Sequence, residues 1–148
     1  MNKFPLCALT ILAFVQHAPA AENDTKTLPP PDSEKVYTFQ KIEEQKAELK
    51  NKVIRLEIAS LLGSGSEQKD GMVRYMTKDT SGGAAPYGQL DFPRDGLQKS
   101  GLADNPKKGP QTLYVRVRVF AEDRKAAAIC IAVGTHVSVA DGKATYSW

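Results

Sequence analysis

Leu113-Tyr114-Val115-Arg116-Val117-Arg118-Val119-Phe120 is the most regular stretch of the sequence. Leu113, Val115, Val117 and Val119 fall on one side, and Tyr114, Arg116, Arg118 and Phe120 on the other. That period of two gives a β-strand with one apolar face and one cationic, aromatic face. Downstream, the charged residues 122–125 read as a turn, and 126–133 is a nearly continuous apolar run suited to a strand covered on both sides. Val137 and Val139 alternate again, Asp141-Gly142 is a hairpin dipeptide, and residues 144–148 return as the last strand. Upstream, residues 94–102 have room for one or two helical turns, with Pro93 near their start.

Before Pro93, Leu90 and Phe92 mark a short strand. Residues 72–78 alternate Val73, Tyr75 and Thr77 against Met72, Arg74, Met76 and Lys78, and Ile54, Leu56 and Ile58 begin another strand. Between these two, the Gly- and Ser-rich residues 63–71 read as a polar turn that breaks the pattern. Ser81-Gly82-Gly83 reads as a loop. Residues 36–52 are rich in Glu, Lys, Gln, Ala and Leu, with Phe39, Ile42 and Leu49 as a narrow apolar stripe, which predicts one surface helix. The fold class is therefore mainly β with minor α.

A helix, three strands, a short helix after the third strand, then a long fourth strand and a fifth hairpin resembles the oligonucleotide/oligosaccharide-binding (OB) barrel. The resemblance covers residues 35–148 and rests on the alternating first strand from Asn51-Lys52-Val53 and on the helical turn between strands three and four. It implies a small five-stranded barrel and a ligand face on its second and third strands, and it carries over no catalytic residue. Another small barrel or sheet-and-helix fold is the alternative.

The amino terminus has the layout of a secretory signal: Lys3, an apolar run over residues 4–15, and Ala18-Pro19-Ala20 before a cleavage point after Ala20. A run of about 12 residues is too short for the roughly 20 of a membrane-spanning helix, so no span is expected after cleavage. Cys7 precedes the apolar run instead of following it, which argues against a lipid-bearing cysteine. Residues 21–34, with Pro29-Pro30-Pro31, are expected to form an extended linker, leaving one domain over 35–148. The expected location is exported, periplasmic or extracellular.

Cleavage removes one of the 20 Lys and Arg residues, leaving a balance of about +2 against 17 Asp and Glu. Such a chain sets up no broad field for nucleic acid or anionic membrane, so any basic function is local. The strongest local feature is the cationic strand face of Tyr114, Arg116 and Arg118, with Arg55 and Arg74 from neighbouring strands. Arginine forks hold carboxylate, sulfate or phosphate. The competing reading pairs these arginines across the sheet with Glu57 or Asp91.

Other chemistries are thinly supplied. Cys130, the one cysteine left after cleavage, sits among apolar residues and reads as buried and inert. His136 has no indicated nucleophile beside it, and one histidine with one cysteine makes no metal set. Gly63-Ser64-Gly65-Ser66 lacks the Gly-Lys-Ser of a phosphate loop. Asp91 with Asp95, or Glu122 with Asp123, are the carboxylate pairs open to hydrolytic work. The aromatic C-terminus, Tyr146 and Trp148, is similar to that of outer-membrane barrels, but the chain has too few long strands for one. No cofactor is expected. The sequence reads as a binding domain, taking an anionic glycan or a protein partner in the cell envelope. A structural subunit or a small carboxylate-dependent hydrolase is the alternative, and the oligomeric state is open.

Overall fold

The computed structural model describes residues 27–32, 34–105, 109–119 and 127–148. The expected signal segment, the start of the linker, the turn at 122–125 and the Glu122/Asp123 pair lie outside them. Among the described residues eight strands and three short helices follow one another: β1 (Val36–Tyr37), α1 (Phe39–Glu44), α2 (Lys46–Leu49), β2 (Val53–Glu67), β3 (Met72–Asp79), β4 (Tyr87–Pro93), α3 (Arg94–Ser100), β5 (Gln111–Arg118), β6 (Ile129–Gly134), β7 (His136–Ala140) and β8 (Lys143–Ser147).

β2 is the strand that closes the barrel. Its first half, Val53 to Ile58, pairs antiparallel with β5, and its second half, Ile58 to Glu67, pairs with β3. From β3 the sheet continues through β4 and β6 back to β5, with β4 and β6 parallel. The result is a small, mainly β, closed five-stranded barrel of OB-like layout, with α3 between its third and fourth strands, as the sequence predicts.

The polar turn expected at residues 63–71 is instead mostly strand. β2 runs on to Glu67, and only Gln68–Gly71 make the turn. Gly63 and Gly65 have φ of 75° and 73°, which lets the strand bend; pairing with β3 is interrupted after Leu62 and resumes at Ser66↔Arg74. Gly65 also lies flush on the Tyr75 ring, where a Cβ would come within 2.6 Å of it.

The single helix expected over 36–52 is also replaced. Val36 and Tyr37 pair in parallel with Arg55 and Leu56, and the helix starts only after Thr38. Thr38 is extended, and its hydroxyl accepts the Lys41 amide at 3.2 Å, which makes it an N-cap and excludes helix before it. Phe39 N–H donates to the buried Asp79 carboxylate at 2.8 Å. Gln45, at φ −108° and ψ 15°, splits the remainder into α1 and α2. Good helix propensity over the window yields to these local capping contacts and to the strand edge.

Inward-facing Ile54, Leu56, Ile58, Leu90, Phe92, Leu113, Val115, Val117 and Cys130 fill the barrel, each fully buried. Phe39, Ile42 and Leu49 from the N-terminal helices, Leu97 from α3, and Leu102 complete this core. A second cluster sits outside the barrel wall. Val53, Ala144 and Tyr146 are buried there, with Leu28, Tyr114, Val133 and Val137 packed against them. It exists because the β7–β8 hairpin folds back over β2 and β5.

Leu28 to Asp32, within the stretch expected to be a linker, also lie on this hairpin and the barrel. Leu28 exchanges backbone hydrogen bonds with Ala144, Tyr146 Oη donates to the Pro29 carbonyl at 2.7 Å, and Asp32 N–H donates to Val53 O at 2.9 Å. Leu28 is an apolar side chain in a polar stretch, and burying it against the hairpin anchors the segment.

Candidate functional site

Register places the arginines on the outer wall of the barrel. One row runs Val53–Arg116–Ile131–Asp91–Arg74–Ser66 across β2, β5, β6, β4, β3 and the far end of β2, and the neighbouring row pairs Arg55 with Tyr114. Arg116 and Arg74 thus share a face but stand three strands apart, with Ile131 and Asp91 between them.

Their surroundings differ. Arg74 grips Asp91 in a fork, Nε to Oδ1 at 2.6 Å and Nη2 to Oδ2 at 2.8 Å, and the Asp91 carboxylate is almost wholly buried. The hydrogen bond to Asp91 raises the Arg74 pKa further against a smaller desolvation. Arg55 Nη2 reaches Glu57 Oε1 at 3.6 Å, while its buried Nε has no acceptor among the described residues. The Tyr114 ring leans on Tyr146, centroids 5.6 Å apart, under the hairpin. Arg118 is exposed at the end of β5. Arg116 Nη2 donates to Asn51 Oδ1 at 3.1 Å, and no carboxylate among the described residues forms an ion pair with it.

The hairpin and the Leu28–Asp32 segment divide this face into two clefts. The first, about 420 Å³, is walled by Leu28, Met72, Pro93, Ile131 and Tyr146, with Arg116 and Asp70 as its charged groups. The second, about 560 Å³, lies between Pro30-Pro31 and the β7 valines Val137 and Val139, with Arg55 and Tyr114 lining it and Glu34 nearby. Mostly apolar walls with a few placed polar groups are the usual build of a ligand pocket. Sequence reasoning found the arginines and Tyr114 but not Leu28, Met72 or Asp70, which come from the expected linker and from the hairpin tip. An isolated leucine before a proline run was the one available clue.

Burial raises the Tyr146 hydroxyl from the ordinary value of 10 to about 12, with Tyr114 adding to the shift. The fold therefore favours the protonated phenol. That stabilisation is whole below pH 10 and is lost as pH climbs from 10 to about 12. Cys130, raised from 9.0 to about 12 by burial, contributes in the same sense from pH 9 upward. A melting series from pH 9 to 12 is expected to fall continuously, and Tyr146→Phe is expected to flatten its upper part while leaving the cysteine component.

Cys130 is buried and unpaired, and the raised pKa keeps it a thiol. Of the carboxylates open to hydrolytic work, Asp91 is held by Arg74 and Asp95 lies exposed on α3, 3.8 Å from Lys99. Among the described residues no three acidic, histidine or cysteine side chains are placed to share a metal ion. No helix among them is long and apolar enough to cross a membrane.

Fold and site together define a small closed OB-like barrel whose outer wall carries two clefts under a C-terminal hairpin. Set against known protein families, characterised proteins and solved structures, the chain matches none.

Proposed function

We propose that the chain is an exported, non-enzymatic binding domain that holds an anionic glycan in the cleft beside Arg116. The observation that carries this reading is Arg116 itself. It is a guanidinium without an ion-pair partner among the described residues, bordering a cleft whose other walls are mainly apolar. The fork suits a uronic-acid carboxylate or a sulfate, and the walls of Leu28, Met72, Pro93 and Tyr146 suit the C–H faces of a sugar ring. Near-balanced overall charge favours recognition of a local anion over a long polyanion such as DNA. Export rests on the amino-terminal signal layout, and the location that follows is periplasmic or extracellular.

The test is a titration of the chain and of Arg116→Ala with uronic-acid and sulfated oligosaccharides and with single-stranded DNA, at several salt concentrations. A charge-assisted hydrogen bond is worth about 1.5–3 kcal/mol, so the variant is expected to bind the acidic sugar roughly ten- to a hundredfold more weakly. Equal binding by both proteins, or none by either, would remove the cleft as a glycan site and leave an envelope protein as the partner to look for.

A further inference from the structure

Among the described residues the five barrel strands close on themselves and the sheet's one terminal strand is the two-residue β1, but the two-stranded β7–β8 sheet is not closed. Its β8 edge is occupied at Ala144 by Leu28, whereas among the described residues nothing pairs with the other edge of β7. Exposed edges normally carry lysine, proline or a bulge. His136-Val137-Ser138-Val139-Ala140 has none of these, pairs with β8 without a register shift, and leaves Val139 55% exposed.

The hairpin fixes which backbone groups that edge offers. Asp141-Gly142 is a two-residue turn with both φ values positive, 52° and 72°, so Ala140 and Lys143 form its first hydrogen-bonded pair. By alternation, Val137 and Val139 turn their amides and carbonyls away from β8. The three residues Val137-Ser138-Val139 read the same in both directions.

We propose that β7 pairs antiparallel with β7 of a second copy about a two-fold axis at Ser138, giving a continuous four-stranded sheet. Val137 of each copy then lies opposite Val139 of the other and exchanges both backbone hydrogen bonds with it. The four valines form one apolar strip on the side facing the barrels. His136 of each copy falls opposite Ala140 of the other. Val137 and Val139 also line the Arg55–Tyr114 cleft, so the second copy forms part of its rim. The pairing is independent of what the Arg116 cleft binds.

Five residues a side bury far less than the roughly 1,200–2,000 Å² of a stable interface, so monomer and dimer should exchange. Sedimentation equilibrium of the full chain is expected to show the dimer growing between about 10 µM and about 1 mM. Val139→Asp, an exposed position, should remain folded and monomeric throughout. Under mild oxidation Ser138→Cys is expected to cross-link to itself, since the axis sets the two residues directly opposite, and Ala140→Cys is not. A wild-type chain that stays monomeric at about 1 mM, or cross-linking equal at both cysteines, would overturn the pairing; the first outcome would give the edge to a strand of a different protein.

Discussion

Replacing Phe92 by alanine is expected to lower the unfolding free energy by about 3–5 kcal/mol, the usual range for removing a fully buried aromatic side chain. The site gives little scope for relaxation. Phe92 sits on β4 with β3 on one side, and its ring meets Tyr75 edge-on at 6.3 Å and Trp148 at 6.5 Å. Both neighbours are themselves tied down: Tyr75 lies on Gly65, and Trp148 lies on Gly96, where a Cβ would come within 2.3 Å of the indole. Neither ring can swing into the space left behind, so most of the cavity should persist. Trp148 is the only tryptophan, so its emission reports on this contact directly. Urea unfolding followed by that emission should show an earlier midpoint and, before the transition, a red-shifted spectrum. A loss below about 1.5 kcal/mol would mean the cavity had closed by movement of α3 or of the chain end.

The distribution of what the sequence revealed follows from how each feature is determined. The β5 pattern from Leu113 to Arg118 is local and strict, and the fold repeats it: Leu113, Val115 and Val117 are inside, Tyr114 and Arg116 outside. Asp141-Gly142 is local too, and it makes the β7–β8 turn. The short helix after Pro93 follows from a proline that ends β4 and stands immediately before the first turn of α3. The extent of β2 is different, because glycines that normally end a strand here bend it, and pairing with β3 resumes beyond them at Ser66. The N-terminal helix is cut short by Thr38 and by the carboxylate of Asp79, 40 residues away, which no local window contains.

The candidate site divides in the same way. Alternation places Arg116 on the outer wall but says nothing about what lies over that wall. The hairpin that roofs Tyr114, and the Leu28–Asp32 segment beside it, come from opposite ends of the chain and meet only in three dimensions. Glu57, open as a partner to any of these arginines, lies 3.6 Å from Arg55, on the same strand instead of across the sheet. Asp91 was likewise available as a partner for the arginines, and register selects Arg74 for it.

That selection leads to the second large effect. Asp91→Ala is expected to cost about 3 kcal/mol, the lower end of the range for breaking a buried pair, because Arg74 keeps 27% of its side chain in water and can recover part of its solvation. Arg74→Ala strands the more buried partner, Asp91, and should be at least as damaging. The double variant Arg74→Met/Asp91→Leu removes both charges and keeps the volume, so it should return to within about 1 kcal/mol of the parent. Denaturant melts of the parent, Arg74→Met, Asp91→Leu and the double variant form a double-mutant cycle whose coupling measures the pair. The same proteins separate structure from recognition. If Arg74 serves only the barrel wall, the double variant should bind an acidic oligosaccharide as the parent does, while Arg116→Ala, which leaves the Arg74–Asp91 pair intact, should not. A stable double variant that has lost binding would instead extend the anion site across Ile131 to Arg74, making one row of the wall the recognition surface.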